Sequence, residues 1–67
     1  MNRNDILYQL SNEIELMARM HIIYGMWDTP QVVAKRAYIF KIASDNGINP
    51  NTDIDPTYRI LYRRYVS

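Results

Sequence analysis

The chain has no cysteine and a single histidine, His21. Disulfide bonds and thiolate metal sites are therefore excluded, and so is a zinc site built mainly from imidazoles. A chain of 67 residues buries only about 60% of the surface that its unfolded form exposes, so its core is thin. Without covalent or metal cross-links, we expect its stability to come from close helix packing, self-association or a partner.

Long hydrophobic stretches and an excess of one charge are also missing. The longest strongly apolar stretch, Ile22 to Trp27, is too short to cross a bilayer, and the start, Met1 to Asp5, is polar. We expect a soluble, cytoplasmic protein (in a host cell, if the protein is viral) with no membrane partner. The net charge of +1 supplies no global basic field for nucleic acid. A content of 48% hydrophobic and 22% charged residues argues against disorder.

Helical periodicity is present in three segments, separated by two loops rich in Pro, Gly, Asn and Asp. The first predicted helix covers 4–24, with Asn2 or Asn4 as its cap and Gly25 near its end. Its main apolar stripe alternates by three and four residues. The stripe consists of Leu7, Leu10, Ile14, Met17, His21 and Tyr24.

The two other predicted helices have clear start signals. Asp28-Thr29-Pro30 begins a helix over 30–46, which Gly47 stops with Ile48 placed for a Schellman contact. Asp55-Pro56 begins a third helix over 56–65. No segment shows the alternation of a strand. The sequence therefore predicts an all-α fold without a sheet, in which one long helix packs against two shorter ones in a single domain, 1–67.

A second apolar stripe on the first helix is the strongest functional signal. Leu16, Met20, Ile23 and Trp27 follow it, and Met26 lies close by. We expect two short helices to cover the main stripe and leave Met20, Ile23, Met26 and Trp27 as a protein-binding patch, because methionine and tryptophan are common interface residues. The alternative is that the short helices bury both stripes.

Arg36 is unusual because it falls on the broad apolar face of the second helix, which comprises Val32, Val33, Ala37, Ile39, Phe40 and Ala43. Its stem can cover apolar surface while its guanidinium reaches outward or pairs with a carboxylate, for which Glu13 is a candidate. The functional alternative is that Arg36 belongs to the interface with the partner.

The third helix mixes aromatic and basic side chains that could contact nucleic acid: Tyr58, Arg59, Tyr62, Arg63 and Arg64. Three arginines give a weak electrostatic contribution at physiological salt. The long connection before this helix does not fit a helix-turn-helix. Tyrosines at this spacing are more often core residues, so nucleic-acid binding is the second hypothesis.

No catalytic or cofactor motif is found. His21 has no serine in an activating turn near it in sequence, and Glu13 and Glu15 diverge on the helix surface. The polar loop from Asp45 to Asp55 lacks the spacing of a calcium loop and is typical of turns and caps. We expect no enzymatic activity, no cofactor, no bound metal and no small-molecule substrate.

The sequence therefore favours a small helical interaction module, such as a regulator, inhibitor or adaptor of the kind that phages and mobile elements encode. We expect it to bind a larger protein or itself.

Overall fold

In a computed structural model, which describes residues 2–67, the chain forms three helices. They are α1 (Arg3–Ile22), α2 (Pro30–Asp45) and α3 (Pro56–Tyr65). No strand occurs in this part of the chain. The long α1 packs against both shorter helices, which confirms the all-α architecture predicted from the sequence.

Each helix begins where a polar side chain can accept a hydrogen bond from a free backbone N–H of the first turn. Asn2 caps α1 by accepting from the N–H of Asp5 at 2.9 Å. Thr29 accepts from Val32 before α2, and Asp55 accepts from Thr57 before α3. The prolines that follow Thr29 and Asp55 lose no intrahelical bond at this position.

Two glycines in the left-handed region end α1 and α2. Gly47, with φ of 63°, allows the N–H of Ile48 to donate to the carbonyl of Ala43 at 2.9 Å, which is the predicted Schellman arrangement. Gly25, with φ of 62°, lets the N–H of Met26 donate back to the carbonyl of Met20. This reversal ends α1 at Ile22, two residues before the predicted end at Tyr24. The α2 helix ends at Asp45, one residue early.

Side-chain contacts give the direction of each helix. Gln9 donates to the Tyr38 hydroxyl and Lys35 pairs with Glu13, so α2 runs antiparallel to α1. An Nη atom of Arg3, at the start of α1, lies 3.6 Å from a carboxylate oxygen of Asp53, which shortly precedes α3. The ring of Tyr65 lies against His21 near the end of α1, so α3 runs parallel to α1. The end of α1, the start of α2 and the end of α3 therefore meet at one end of the molecule.

The core lies between α1 and the two shorter helices and includes the loop after α2. It is formed by Leu10, Ile14, Met17, Ala18, Val32, Ile39, Ala43, Ile48, Ile54, Tyr62 and Val66. The broad apolar face predicted for α2 is divided in the structure, because Val32, Ile39 and Ala43 are buried while Val33, Ala37 and Phe40 are exposed. Arg36 is half-buried between these two groups in the helical repeat, which explains its unusual position.

Candidate protein-binding site

Three consecutive large apolar side chains are exposed where α1 ends. The exposed fractions are 60% for Ile22, 65% for Ile23 and 69% for Tyr24. We call these three residues the apolar end. Tyr24 was expected in the main stripe, but the helix stops before it and its side chain leaves the buried face. This local ending leaves three consecutive apolar residues exposed at one end of α1.

The other members of the predicted patch lie deeper. Met20, Met26 and Trp27 are partly buried and pack against the core, while Ile23 is exposed. The predicted patch is thus neither fully covered nor fully open, since one of its four apolar members is largely accessible and three are half-buried. Ile22 and Tyr24 were not among the predicted site residues. The reversal at Gly25 was the available signal, because it ends the helical repeat before Tyr24.

A column of tilted aromatic rings and guanidinium groups joins the elements that meet here. The ring of His21 lies 4.5 Å from that of Trp27 and 5.1 Å from that of Tyr65. The Arg36 guanidinium carbon lies 4.7 Å from the centre of the Trp27 ring, and that of Arg64 lies 6.0 Å from the Tyr65 ring. Such contacts are favourable because the negative ring face attracts a cation. They connect α1, the turn after it, α2 and α3 beside the apolar end.

The arginines of this column have no carboxylate partner in the described residues. The ion pairs found within 2–67 join Arg3 to Asp53, Arg19 to Glu15, Lys35 to Glu13 and Lys41 to Asp45. The expected pairing of Glu13 with Arg36 is wrong: Glu13 binds the neighbouring Lys35, and Arg36 stacks on Trp27 instead.

The α3 residues considered for nucleic acid are divided between core and surface. Tyr62 is buried, and its ring meets Phe40 edge-on at 6.1 Å, while Tyr58 is half-buried. Burial raises the pKa of the Tyr62 hydroxyl above its usual value of 10.0. Arg59 is half-buried and donates from Nε to the carbonyl of Ile54. Its side chain therefore binds the loop that precedes its own helix.

Arg63 and Arg64 remain exposed in the last turn of α3. Together with Ile60 they line a shallow surface depression of about 310 Å³. Its apolar side is the Ile60 side chain, which is itself largely exposed. The freely accessible part of the predicted α3 set is therefore a pair of arginines next to an apolar residue.

His21 makes the contacts of a packing residue. Its Nδ1 atom is buried and has no hydrogen-bond partner among the described residues. A catalytic histidine needs an orienting group and a nearby nucleophile, whereas the groups around this ring are aromatic.

The polar side chains of the loop between α2 and α3 form hydrogen bonds within the loop itself. The Asp53 carboxylate accepts from the N–H of Asn49 at 2.7 Å, and Asn49 accepts from the N–H of Asn51. The hydrogen bond from Asn49, followed by one from Thr52 and the charge of Arg3, holds the pKa of Asp53 below its usual value despite some desolvation. Within residues 2–67 no three potential ligands are grouped to hold a metal ion.

None of the described helices combines the length and hydropathy that a bilayer crossing requires. The chain matches no known family model, no curated protein and no solved structure in the comparisons made.

Proposed function

We propose that this chain is a small protein-interaction module that docks through the apolar end. The observation that carries the proposal is the exposure of Ile22, Ile23 and Tyr24 at a helix end that is held in place by packing. Single exposed apolar residues are normal on a protein surface, whereas contiguous apolar patches are typical of interaction sites. Three exposed apolar residues in consecutive positions are the apolar surface on which this proposal rests.

The energetic contribution of this surface comes from removing it from water. An isoleucine that passes from largely exposed to buried contributes roughly 1–2 kcal/mol. Two isoleucines and a tyrosine therefore supply a useful part of the roughly 4–15 kcal/mol that association costs, but not all of it. Polar contacts around the apolar residues, to Arg36, Arg63 and Arg64, are needed to complete the binding free energy.

The half-buried residues below the apolar end support it. Met20, Met26 and Trp27 pack against the core and also keep part of their surface accessible. Methionine adapts its shape to a neighbour, and tryptophan adds a large rigid surface. A module of this kind acts by occupying the surface of a larger protein, which suits a regulator, an inhibitor or an adaptor.

Substitution of Ile23 by aspartate tests the proposal. We would select peptide ligands of the wild-type protein from a displayed random library and measure their affinity for Ile23→Asp. We expect a loss of tenfold or more, because an uncompensated carboxylate is placed in the docking surface. The melting temperature should change little, since Ile23 is largely exposed.

Tyr8→Asp is the matched control, because Tyr8 is 73% exposed on α1 far from the apolar end. It should leave ligand binding unchanged. If the selected ligands bind Ile23→Asp as well as they bind wild type, docking occurs elsewhere and the proposal fails. Trp27→Ala is a poor substitute for this test, because Trp27 also packs against His21 and the core and its loss should lower stability.

Nucleic-acid binding through α3 is the second candidate and is tested in the same preparation. Binding of random duplex and single-stranded DNA is measured at low salt and at about 200 mM salt, with Arg63→Ala plus Arg64→Ala for comparison. DNA binding at low salt that disappears in the double variant would favour this candidate, whereas no binding at low salt eliminates it.

A further inference from the structure

The charges beside the apolar end are unbalanced. Arg36, Arg63 and Arg64 take part in none of the ion pairs found within residues 2–67. Asp28, next to Trp27 in the chain, is exposed and also belongs to none of these pairs. Three cations and one carboxylate thus accompany the apolar end, although the whole chain carries a net charge of +1.

Two of these arginines lie over aromatic rings, Arg36 at 4.7 Å from the ring centre and Arg64 at the longer distance of 6.0 Å. Arg36 stacks on Trp27, and Arg64 lies over Tyr65. A guanidinium group that lies on a ring face keeps the N–H donors at its edges free, and these donors match the two oxygens of a carboxylate. Stacking also reduces the entropy that a flexible arginine loses on binding. The arrangement is suited to carboxylates at fixed positions.

The depression on α3 combines the same two chemistries. Ile60 supplies an exposed apolar side chain, and Arg63 and Arg64 lie beside it. Arg64 precedes Tyr65, whose ring packs against His21, so this end of α3 lies at the same end of the molecule as the apolar end. Exposed apolar side chains accompanied by cations are therefore present on α3 as well as at the apolar end of α1.

We infer that the partner is a protein with an acidic, amphipathic docking segment, whose apolar side chains cover Ile22, Ile23 and Tyr24 and whose carboxylates pair with Arg36, Arg63 and Arg64. This inference rests on the proposed function, since it assigns the chemistry of the partner at the same site. Charge complementarity is the reason for choosing this occupant.

Other occupants fit these observations less well. A second copy joined through the same end would bring the three arginines of each copy together, with Asp28 as the nearby carboxylate, and like charges oppose such contacts. A nucleic-acid backbone offers phosphates but no apolar complement for Ile22 and Ile23. Anionic lipid head groups are mobile, whereas the half-buried Arg36 packs on the Trp27 ring.

The test uses the displayed random-peptide library on the full chain. We expect ligands selected with wild type to be enriched in Asp and Glu together with large apolar residues, and to lose affinity at raised salt. Arg63→Glu with Arg64→Glu should lower their affinity about tenfold or more. A new selection on this charge-reversed protein should enrich Lys and Arg instead.

The control is the single variant Lys41→Glu, compared with the single variant Arg63→Glu. Both substitutions make the same charge change, and Lys41 lies near the end of α2, away from the apolar end. We expect Arg63→Glu to weaken the acidic ligands several-fold and Lys41→Glu to leave them unchanged. Equal effects of the two variants would contradict the inference.

The outcomes separate this inference from the proposed function. Ligands that depend on Ile23 but show no acidic enrichment overturn the partner chemistry and leave the docking function standing. Ligands that are insensitive to Ile23→Asp overturn both. Light scattering across concentration, and sedimentation with phosphatidylserine vesicles or DNA, test the remaining occupants. A dimer, vesicle binding or DNA binding that Ile23→Asp abolishes would replace the acidic protein as the occupant.

Discussion

Tyr62 has a side chain that suits either stacking on a base or packing in the core. Its place among the arginines of α3 is compatible with stacking on a nucleic-acid base, yet the ring lies inside the core against Phe40. The spacing of the tyrosines at i, i+4 and i+7 already favoured the core, because such residues share one helix face. Which of them is fully covered depends on the crossing of α3 over α1, which the periodicity of α3 does not determine.

Partial desolvation of the Tyr62 hydroxyl makes stability sensitive to alkaline pH. Because burial raises the pKa of this group above 10.0, the folded chain retains the proton under conditions where the unfolded chain releases it. Its stabilising effect is complete below pH 10 and is lost as the pH rises through the folded-state pKa.

We expect Tyr62→Phe to have nearly wild-type stability at neutral pH and a smaller loss of stability above pH 10, measured by urea unfolding at a series of pH values. Tyr8→Phe removes the same atom from an exposed side chain and should retain the full alkaline loss. Identical alkaline profiles for wild type and Tyr62→Phe would show that this hydroxyl is not the responsible group.

At the scale of the elements, polar contacts hold α2 against α1. Lys35 and Glu13 form an ion pair between the helices and have side chains only 26% and 17% exposed. Glu15 and Arg19 form a pair within α1 that is much more exposed. Screening by water and salt weakens exposed pairs, so the interhelical pair should contribute more to stability.

A double-mutant cycle with Glu13→Gln and Lys35→Met should give a coupling free energy of about 1 kcal/mol, measured by denaturant unfolding. The same cycle with Glu15→Gln and Arg19→Met should give about 0.3–0.5 kcal/mol, and raised salt should reduce both. A coupling at 13–35 no larger than at 15–19 would contradict the packing of α2 against α1 described above.

The boundaries of the elements were predictable to different degrees. The starts at Thr29 and Asp55 and the stop at Gly47 follow from local hydrogen bonding, so the sequence indicated them directly. The end of α1 was placed two residues late, because Ile23 and Tyr24 continue the apolar pattern. The left-handed Gly25 and the back-bond from Met26 to Met20 end the helix before them.

At the scale of the whole molecule, the core is thin. The chain measures about 33 × 21 × 16 Å, and its fully buried large side chains are Leu10, Ile14, Met17, Val32, Ile39 and Val66. A domain of this size has a total stability of only about 3–10 kcal/mol. Each core side chain therefore contributes a large share of the free energy of unfolding.

We expect Ile14→Ala to lower the free energy of unfolding by about 2–5 kcal/mol, which brings the chain close to unfolding. Leu16→Ala, two residues along the same helix, removes a comparable side chain that is 46% exposed and should cost clearly less. Circular dichroism during thermal and urea unfolding measures both. Equal losses would mean that the buried stripe of α1 is assigned to the wrong face.

The sequence by itself determined that this chain is helical, where α2 and α3 begin, where α2 stops, and which stripe of α1 is central to the core. These features depend on caps, glycines and a repeat of three and four residues, all of which act over short distances along the chain.

The tertiary structure decided how the second set of apolar residues is shared between core and surface. It placed Met20, Met26 and Trp27 against the core, left Ile22, Ile23 and Tyr24 exposed, and stacked Arg36 on Trp27 rather than pairing it with Glu13. Those outcomes depend on where α2 and α3 cross α1. Such crossings are determined by contacts between residues far apart in sequence, and the periodicity of a single helix contains no information about those contacts.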